Sequence, residues 1–192
     1  MKRVGIIGES PNDTLPLCEI LNREFGEKAQ FKVLLKRLKG GKLDSIASAS
    51  RLIRSELKSS VGNRKYDLLV FVRDLDGFES ETEKMKRVNL WYGTLSKLIP
   101  KHVLLLNIQE VEALVLSDID VFNTMYNTKI SFTGDPQKKA NPKEFLKEQS
   151  SKSNKKYRES DIGDLLPMLD FSKLTGKCKS FEKFVNELKL EL

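Results

Sequence analysis

Hydrophobic residues in this chain follow two alternating patterns. Short, nearly continuous apolar runs lie at 4–8, 31–35, 67–73 and 102–107, and each has the length of a strand buried in a parallel sheet. Between these runs, apolar residues recur every three or four positions, as they do in amphipathic helices. Four repeats of strand and helix predict a three-layer α/β fold with a mainly parallel four-stranded sheet.

The predicted helices follow the strands in regular order. They lie at about 15–25, 46–57 and 79–98, and two further helical stretches follow at 111–116 and 121–126. Asp44 is placed to cap the second helix, and Pro100 ends the third. The α/β domain is therefore predicted to occupy residues 1–126.

Residues 127–192 have a different composition. Between 127 and 160 the chain has nine Lys and Arg residues but only four Asp and Glu residues, and few large apolar side chains. This pattern predicts a basic loop region with one short helix at about 142–147, and it is typical both of a nucleic-acid contact and of a solvated loop. Helical spacing returns between 161 and 192, so C-terminal helices are expected to pack back onto the same domain.

Charge and cysteine content narrow the function only slightly. The chain has 34 Lys and Arg residues against 27 Asp and Glu, and the net charge of +7 is compatible with a phosphate-rich partner. Cys18 and Cys178 have no second Cys or His at ligand spacing, which argues against a zinc site. No apolar run approaches the roughly 18 residues of a membrane helix, and the first apolar stretch ends at Glu9. We therefore expect a cytoplasmic protein without membrane contact.

Carboxylates follow the first and third predicted strands. Glu9 comes directly after the first, and Asp74 and Asp76 come directly after the third, in the run VRDLDG. Ligands of parallel α/β sheets bind beyond the carboxyl ends of the strands. Residues i and i+2 of an extended chain point the same way, so Asp74 and Asp76 are expected to converge. Glu9 joins them if the first and third strands are neighbours.

Three carboxylates in one crevice repel each other, and a bound cation offsets that repulsion. Their oxygen atoms suit Mg²⁺ or Mn²⁺, which polarises phosphate and activates water. The sequence therefore predicts phosphodiester or phosphoryl chemistry at Glu9, Asp74 and Asp76. A DxD pair alone is equally consistent with a strand end whose acids cap the following segment.

Two further acids follow the fourth predicted strand, in the run NIQEVEALVLSD. Glu112 falls in the first helical turn, where an additional metal ligand would lie, and Asp118 is a candidate to support the ligands. The helix dipole also favours an acid such as Glu112 in a first turn without any metal. His102 is the only histidine and begins the fourth strand, at the opposite end of the sheet, so no Ser-His-Asp arrangement is supported.

The order of these pieces resembles the TOPRIM catalytic domain of topoisomerases, primases and OLD-type nucleases. In particular, it is similar to a family of small stand-alone TOPRIM-like bacterial proteins. The segments that carry the resemblance span nearly the whole chain and are, in order, GIIGES, VRDLDG, NIQEVEALVLSD, NPKEFL, YRESDIGDLLPMLDFSKL and CKSFEKFVNEL. Ser10 stands where that family usually has Gly, and Leu114 stands where relatives often have Trp.

The resemblance implies a TOPRIM-like, Rossmann-like fold with a Mg²⁺ site. It implies that Glu9 is a general acid/base or metal ligand and that Asp74 and Asp76 are metal ligands. Glu112 and Asp118 match the acids that follow in the family. Such relatives are often encoded beside an ABC- or SMC-like ATPase, as in split phage-defence nucleases, so the resemblance also implies a partner ATPase.

The leading hypothesis is a Mg²⁺-dependent nuclease. Basic side chains would hold the phosphate backbone without reading the bases, and the candidates are Lys138, Lys139, Lys155, Lys156 and Arg158.

A second hypothesis is a haloacid dehalogenase-like phosphatase with Asp74 as nucleophile, because VRDLDG resembles the DxDG loop of that family. That family, however, places the loop on its first core strand. A third hypothesis is a non-catalytic TOPRIM-like binding or assembly module that retains the acids.

Overall fold

A four-stranded parallel sheet forms the centre of the protein. The computed structural model describes residues 1–8, 10–34, 45–59 and 65–192. Within them, the strands are β1 (Lys2–Ile7), β2 (Ala29–Val33), β3 (Leu68–Asp74) and β4 (His102–Asn107). They pair in parallel in the order β2-β1-β3-β4. The predicted α/β fold with a parallel sheet is confirmed, and so is the expectation that the first and third strands are neighbours.

Helices connect and cover the strands. They are α1 (Pro11–Phe25), α2 (Ile46–Ser59), α3 (Thr82–Leu95), α4 (Ile119–Tyr126), α5 (Pro142–Ser150), α6 (Ile162–Leu165), α7 (Phe171–Lys177) and α8 (Lys179–Glu191). The stretch predicted as helical at 111–116 is a 3₁₀ helix, Val111–Asp118. The expected cap at Asp44 lies outside the described residues. Among those residues, no helix is long and apolar enough to cross a membrane.

The two faces of the sheet bury different sets of helices, which gives three layers. On one face, Leu69 and Phe71 of β3 pack with Ile53 of α2 and with Trp91 and Leu95 of α3. On the other face, alternate residues of the same strands pack against α1 and the C-terminal helices. Side chains of successive strand residues point to opposite faces, so a continuous apolar run such as LLVFV serves both cores.

Residues beyond 126 share the core of the α/β layers. Leu146, Tyr157, Phe181 and Phe184 belong to the same buried cluster as Val4 of β1 and the other residues on that face. The short helix predicted at about 142–147 corresponds to α5, which runs to Ser150, and Leu146 and Tyr157 within the basic region are buried. Isolated apolar residues in a basic stretch give no periodic signal, so sequence patterns miss them.

The register of the sheet aligns the ends of the central strands. Ile7 of β1 pairs with Phe71 of β3, and Asp74 of β3 pairs with Asn107 of β4. β1 ends tightly between its neighbours, because a Cβ added to Gly8 would lie 2.5 Å from Thr14 Cγ2 and 3.3 Å from Val72 Cβ. The carboxyl ends of β1, β3 and β4 therefore meet at one edge of the sheet, next to the beginning of α1.

Candidate metal site at the carboxyl edge of the sheet

Asp74 is the last residue of β3 and is half-buried at this edge. Asn107, at the end of β4, donates a hydrogen bond of 2.9 Å from Nδ2 to Asp74 Oδ1. Asn107 is only 1% exposed, and its own Oδ1 has no hydrogen-bond partner among the described residues. A buried amide oxygen without a donor is costly, and a cation or a bound water would satisfy it.

Several carboxylates act on Asp74 electrostatically. Burial raises the pKa of Asp74 well above its usual value, and the charge of Asp13 raises it further. The hydrogen bond from Asn107 opposes this shift, whereas the charges of Glu112 and Asp76 add to it. We call Asp13, Asp74, Asp76 and Glu112 the acid cluster. The charges of the other three members disfavour the ionised form of Asp74, which is the situation that a divalent cation relieves.

Asp13 is a member of this cluster that the sequence-based predictions did not include. It lies in the first turn of α1, whose N-cap is Ser10, and Ser10 Oγ accepts a hydrogen bond of 3.0 Å from the backbone N–H of Asn12. Because α1 begins where β1 ends, an acid in its first turn faces the same edge of the sheet. That position in the sequence is the signal that could have identified it.

Asp76 does not extend β3, contrary to the expectation that Asp74 and Asp76 lie on one extended segment. Leu75 is buried in an apolar cluster with Val88 and Ile108, and the chain then turns. Asp76 is exposed and has a left-handed backbone with φ of 53°. The two carboxylates therefore approach through a turn rather than through strand alternation, and Asp76 makes the smallest of the contributions that raise the pKa of Asp74.

The turn after Asp76 is held by backbone hydrogen bonds to the end of β4. Asp76 N–H donates to the carbonyl of Gln109 at 2.9 Å, and Gln109 N–H donates to the carbonyl of Gly77 at 3.0 Å. Gln109 is also left-handed, with φ of 66°. A Cβ on Gly77 would meet the carboxylate of Glu81 and the ammonium group of Lys84, so these two flexible side chains would have to move to accommodate another residue. The positive φ in this turn belongs to Asp76.

Glu112 lies in the first turn of the 3₁₀ helix after β4 and is 3% exposed. Its Oε1 accepts a hydrogen bond of 3.1 Å from the hydroxyl of Tyr157. Burial raises the pKa of Glu112, although its own backbone N–H, the Lys143 charge and the Tyr157 hydroxyl all oppose that shift. Glu112 is therefore positioned at the edge by the buried Tyr157, which belongs to the C-terminal part of the chain.

The positive charge of Lys143 acts on Glu112 and lowers its pKa. Its Nζ lies 2.9 Å from Glu110 Oε1 and 4.0 Å from Glu159 Oε1. Burial alone would lower the pKa of Lys143, but the hydrogen bond to Glu110 and the charges of Glu112, Glu110 and Glu159 raise it. Lys143 consequently stays protonated beside the acid cluster, where a positive charge would favour an anionic ligand.

The hydrogen bonds and the ion pair of Asp118 join it to residues at the beginning of α7 and not to Asp74. Its Oδ1 lies 2.5 Å from Lys173 Nζ, and its Oδ2 accepts a hydrogen bond of 3.1 Å from the backbone N–H of Asp170. Both contacts fasten α7 to the 3₁₀ helix. The assignment of Asp118 as a support for metal ligands therefore stays a prediction, and its contacts belong to the packing of the C-terminal helices.

The predicted phosphate-binding residues fall into separate places. Lys155, Lys156 and Arg158 are exposed and line an open cavity of about 370 Å³ together with Asn154 and Asp161. Lys138 is exposed next to another cavity, close to Phe78. Lys139 is half-buried, with its Nζ 4.2 Å from the centre of the Phe145 ring, so it is the least available of the five.

Glu9, the first predicted ligand, lies outside the described residues, although its neighbours Gly8 and Ser10 lie within them. In the described ranges, no three His, Cys, Asp or Glu side chains are grouped closely enough to hold a metal ion. The predicted set of Glu9, Asp74 and Asp76 therefore stays a prediction. No protein-family model, curated protein or solved structure matches this chain.

Proposed function

We propose that this chain is a Mg²⁺-dependent nuclease with a TOPRIM-like fold and that Glu9, Asp74, Asp76 and Glu112 hold the metal. The observation that supports this proposal most is the environment of Asp74. Its pKa is raised by burial and by neighbouring carboxylates, at the edge where parallel α/β sheets bind their ligands. The ionised form of Asp74 is unfavourable in this environment unless a cation is bound nearby, so we infer that a cation binds there.

The donor atoms at this edge are of the type that Mg²⁺ and Mn²⁺ prefer. All of the candidate ligands are oxygen donors, and the unpartnered Oδ1 of Asn107 is an additional oxygen at the same edge. A bound Mg²⁺ would neutralise phosphate charge and lower the pKa of a water molecule, so that the water would lose a proton and attack phosphorus more readily. The donor set therefore matches the metal that the sequence resemblance implies.

The protein side chains would position the reacting groups. Asn107 holds Asp74 through its hydrogen bond, and Tyr157 holds Glu112 in the same way. Glu9 would act as general acid/base or metal ligand, as the resemblance implies. Lys143 would add positive charge close to the scissile phosphate, and the exposed Lys155, Lys156 and Arg158 would bind the phosphate backbone without base preference.

The resemblance also suggests the biological setting. Proteins of the family that the sequence resembles are often encoded beside an ABC- or SMC-like ATPase, as in split phage-defence nucleases, and we propose the same kind of partner for this chain. Purified protein combined with such an ATPase is then expected to cleave nucleic acid faster in the presence of ATP. An ATPase that has no effect on the rate would argue for a nuclease that acts alone.

Cleavage assays test the proposed activity directly. DNA and RNA, each single- and double-stranded, would be incubated with Mg²⁺ or Mn²⁺ and wild type, Glu9→Gln, Asp74→Asn or Glu83→Gln. Glu83 is an exposed acid of α3 paired with Lys86, so its variant controls for loss of charge alone. We expect at least a hundredfold loss for the first two variants and no change for the third. Activity that survives both Glu9→Gln and Asp74→Asn would overturn the mechanism.

The two rival functions predict other results. A phosphatase with Asp74 as nucleophile would hydrolyse p-nitrophenyl phosphate and form an aspartyl-phosphate at Asp74. Metal coordination requires the same ionised Asp74, so the trapped aspartyl-phosphate, and not the raised pKa of Asp74, is the result that separates the two functions. A non-catalytic module would bind Mn²⁺ or nucleic acid without cleaving any of the substrates.

A further inference from the structure

A small cavity opens beside the turn that follows Asp76. Its volume is about 310 Å³, and its lining includes Phe78, Ser80, Ile108, Lys138 and Lys179. We call it the Phe78 cavity. This volume is at the lower end of the roughly 300–1,000 Å³ that small-molecule clefts have, so one flat ring system fits it better than a large ligand does.

Residues that line the Phe78 cavity are close in sequence to residues at the acid cluster. Phe78 follows Asp76 by two residues, so their Cα atoms lie within about 7 Å of each other. Ile108 directly follows Asn107, the partner of Asp74, and packs with Leu75. A polymer bound with one unit at the acid cluster would therefore place a neighbouring unit at the Phe78 cavity.

Phe78 is unusual among the aromatic residues of the protein. All of the Phe, Tyr and Trp side chains lie in the described part of the chain, and Phe78 is the one that is exposed, at 36%. The other aromatic side chains contribute to the cores or are half-buried. An exposed ring beside a site of phosphate chemistry is the kind of surface on which unpaired bases stack.

The charges of the lining favour a base over a lone phosphate. Lys138 and Lys179 are balanced by Glu79 and Asp135, which also line the cavity. Asp135 additionally accepts a hydrogen bond of 3.0 Å from the backbone N–H of Gln137. A cavity with equal numbers of positive and negative groups attracts a bare anion poorly. It suits a neutral, flat heterocycle with donors and acceptors along its edge.

We propose that the Phe78 cavity binds one unpaired base of a single-stranded nucleic acid, with the base stacked on Phe78 and the backbone running past the acid cluster. This inference rests on the proposed nuclease function and specifies its substrate. A base inside a duplex is stacked on its neighbours and cannot reach the ring. Single strands and frayed ends are therefore the preferred substrates.

Binding measurements without metal test this inference separately from cleavage. Fluorescence anisotropy in EDTA would compare a short oligothymidylate, the equivalent oligouridylate, a duplex, and a fully abasic strand of the same length and charge. Wild type, Phe78→Ala, Phe78→Trp and Leu90→Ala would be tested. Leu90 is an exposed apolar residue of α3 and serves as the matched control.

We expect Phe78→Ala to weaken binding of the oligothymidylate about tenfold and to leave binding of the duplex and of the abasic strand unchanged. Phe78→Trp should retain the affinity, and stacking should quench its fluorescence, because the natural Trp91 is 2% exposed and contributes a constant background. Leu90→Ala should behave as wild type. A similar effect on the oligouridylate would extend the site to RNA.

Three results would overturn the inference. They are no measurable binding of single strands by wild type either in EDTA or in Ca²⁺, an unchanged affinity in Phe78→Ala, and an equal loss for the abasic strand. Cleavage that depends on Asp74 together with unchanged binding by Phe78→Ala would remove this cavity and leave the nuclease function intact. Base-dependent binding without any cleavage would remove the nuclease function and leave the cavity as a binding site.

Discussion

At the scale of single residues, the carboxyl edge of the sheet collects features that cost stability. Asp76 and Gln109 are two of the four non-glycine residues with positive φ among the described residues. A left-handed backbone costs about 1 kcal/mol or more for most residue types, and Asp and Asn tolerate it best. The same edge contains the unpartnered Asn107 Oδ1 and Asp74, whose pKa is raised by burial and by neighbouring carboxylates. Unfavourable features that cluster in one place are typical of functional sites.

Replacing Asp74 should therefore stabilise the metal-free protein. Asp74→Asn keeps an oxygen that accepts the hydrogen bond from Asn107 and removes a carboxylate that repels its neighbours. We expect a gain on the order of 1 kcal/mol at pH 7.5 in EDTA. That gain corresponds to a rise in Tm of about 2–4 °C for a chain of this length. A fall in Tm would mean that Asp74 stabilises the fold as an ionised group.

The sign of the pH dependence follows from the raised pKa of Asp74. Native Asp74 binds a proton more readily than the unfolded chain does, so stability falls as the pH rises from the unfolded pKa of about 3.9 through the native value. The difference in Tm between Asp74→Asn and wild type should be small at pH 4 and should increase toward pH 8. Thermal unfolding in EDTA across this range measures it, and a difference that does not change with pH would contradict it.

At the scale of secondary structure, the sequence predicts the strands well and the irregular segments poorly. In an α/β chain, a short continuous apolar run such as LLVFV usually forms a buried strand of a parallel sheet. The run HVLLLN likewise forms β4, which ends at Asn107 where the run ends. The 3₁₀ helix Val111–Asp118 could not be distinguished from an α-helix, because all of its residues are buried and leave no polar face for a periodic pattern. Tyr157 was missed because it is a single apolar residue in a basic stretch.

The candidate site is predictable where strand order alone determines it. Asp74 ends β3 and Glu112 follows β4, and the ends of these two strands meet, so the effect of Glu112 on Asp74 could be expected from topology. Asp13 and Asn107 were missed, because the first resembles loop punctuation and the second resembles an ordinary strand residue. The turn at Asp76 depends on the burial of Leu75 next to Val88, which the motif DLDG does not reveal.

The contact between Tyr157 and Glu112 joins the C-terminal part of the chain to the acid cluster. Tyr157→Phe removes the hydroxyl that donates to a buried carboxylate, and we expect it to lower stability by about 1–2 kcal/mol. Tyr126→Phe is the matched control, because Tyr126 is also buried and donates to Asp161 at 2.6 Å. In Tyr126→Phe, the half-buried Asp161 still accepts a hydrogen bond of 3.1 Å from the backbone N–H of Arg158. The loss of stability in Tyr126→Phe should therefore be smaller than in Tyr157→Phe. Equal losses in urea unfolding would show that the Tyr157 hydroxyl has no special role.

The pair of Asp118 and Lys173 should behave as a structural link between the 3₁₀ helix and α7. The Asp118 side chain is 5% exposed, so Lys173→Met leaves a buried carboxylate with only the Asp170 N–H, at an expected cost of about 1–3 kcal/mol. Asp118→Asn combined with Lys173→Met should cost less than the sum of the single variants. A change in Mn²⁺ affinity in Asp118→Asn would instead support the sequence-based assignment of Asp118 to the metal site.

At the scale of the whole molecule, charge is distributed unevenly over a protein of net charge +7. The acid cluster lies at the sheet edge, whereas exposed Lys155, Lys156 and Arg158 surround a separate open cavity. Positive surface steers nucleic acid toward the protein, and a cation at the sheet edge would remove the repulsion between phosphate and the acids. Metal and substrate are therefore expected to favour each other's binding, because each neutralises charge that opposes the other.

Metal binding should be visible as a gain in global stability. A ligand that binds only the folded state adds RT ln(1 + [L]/Kd), which is about 2.7 kcal/mol at one hundred times Kd. We expect saturating Mn²⁺ to raise Tm by several degrees in wild type and in Glu83→Gln, and by much less in Asp74→Asn. Protons compete with the metal for Asp74, whose pKa is raised, so the Mn²⁺-induced rise should increase with pH. Differential scanning calorimetry with Mn²⁺ or EDTA measures both effects, and an equal rise in Asp74→Asn would place the metal elsewhere.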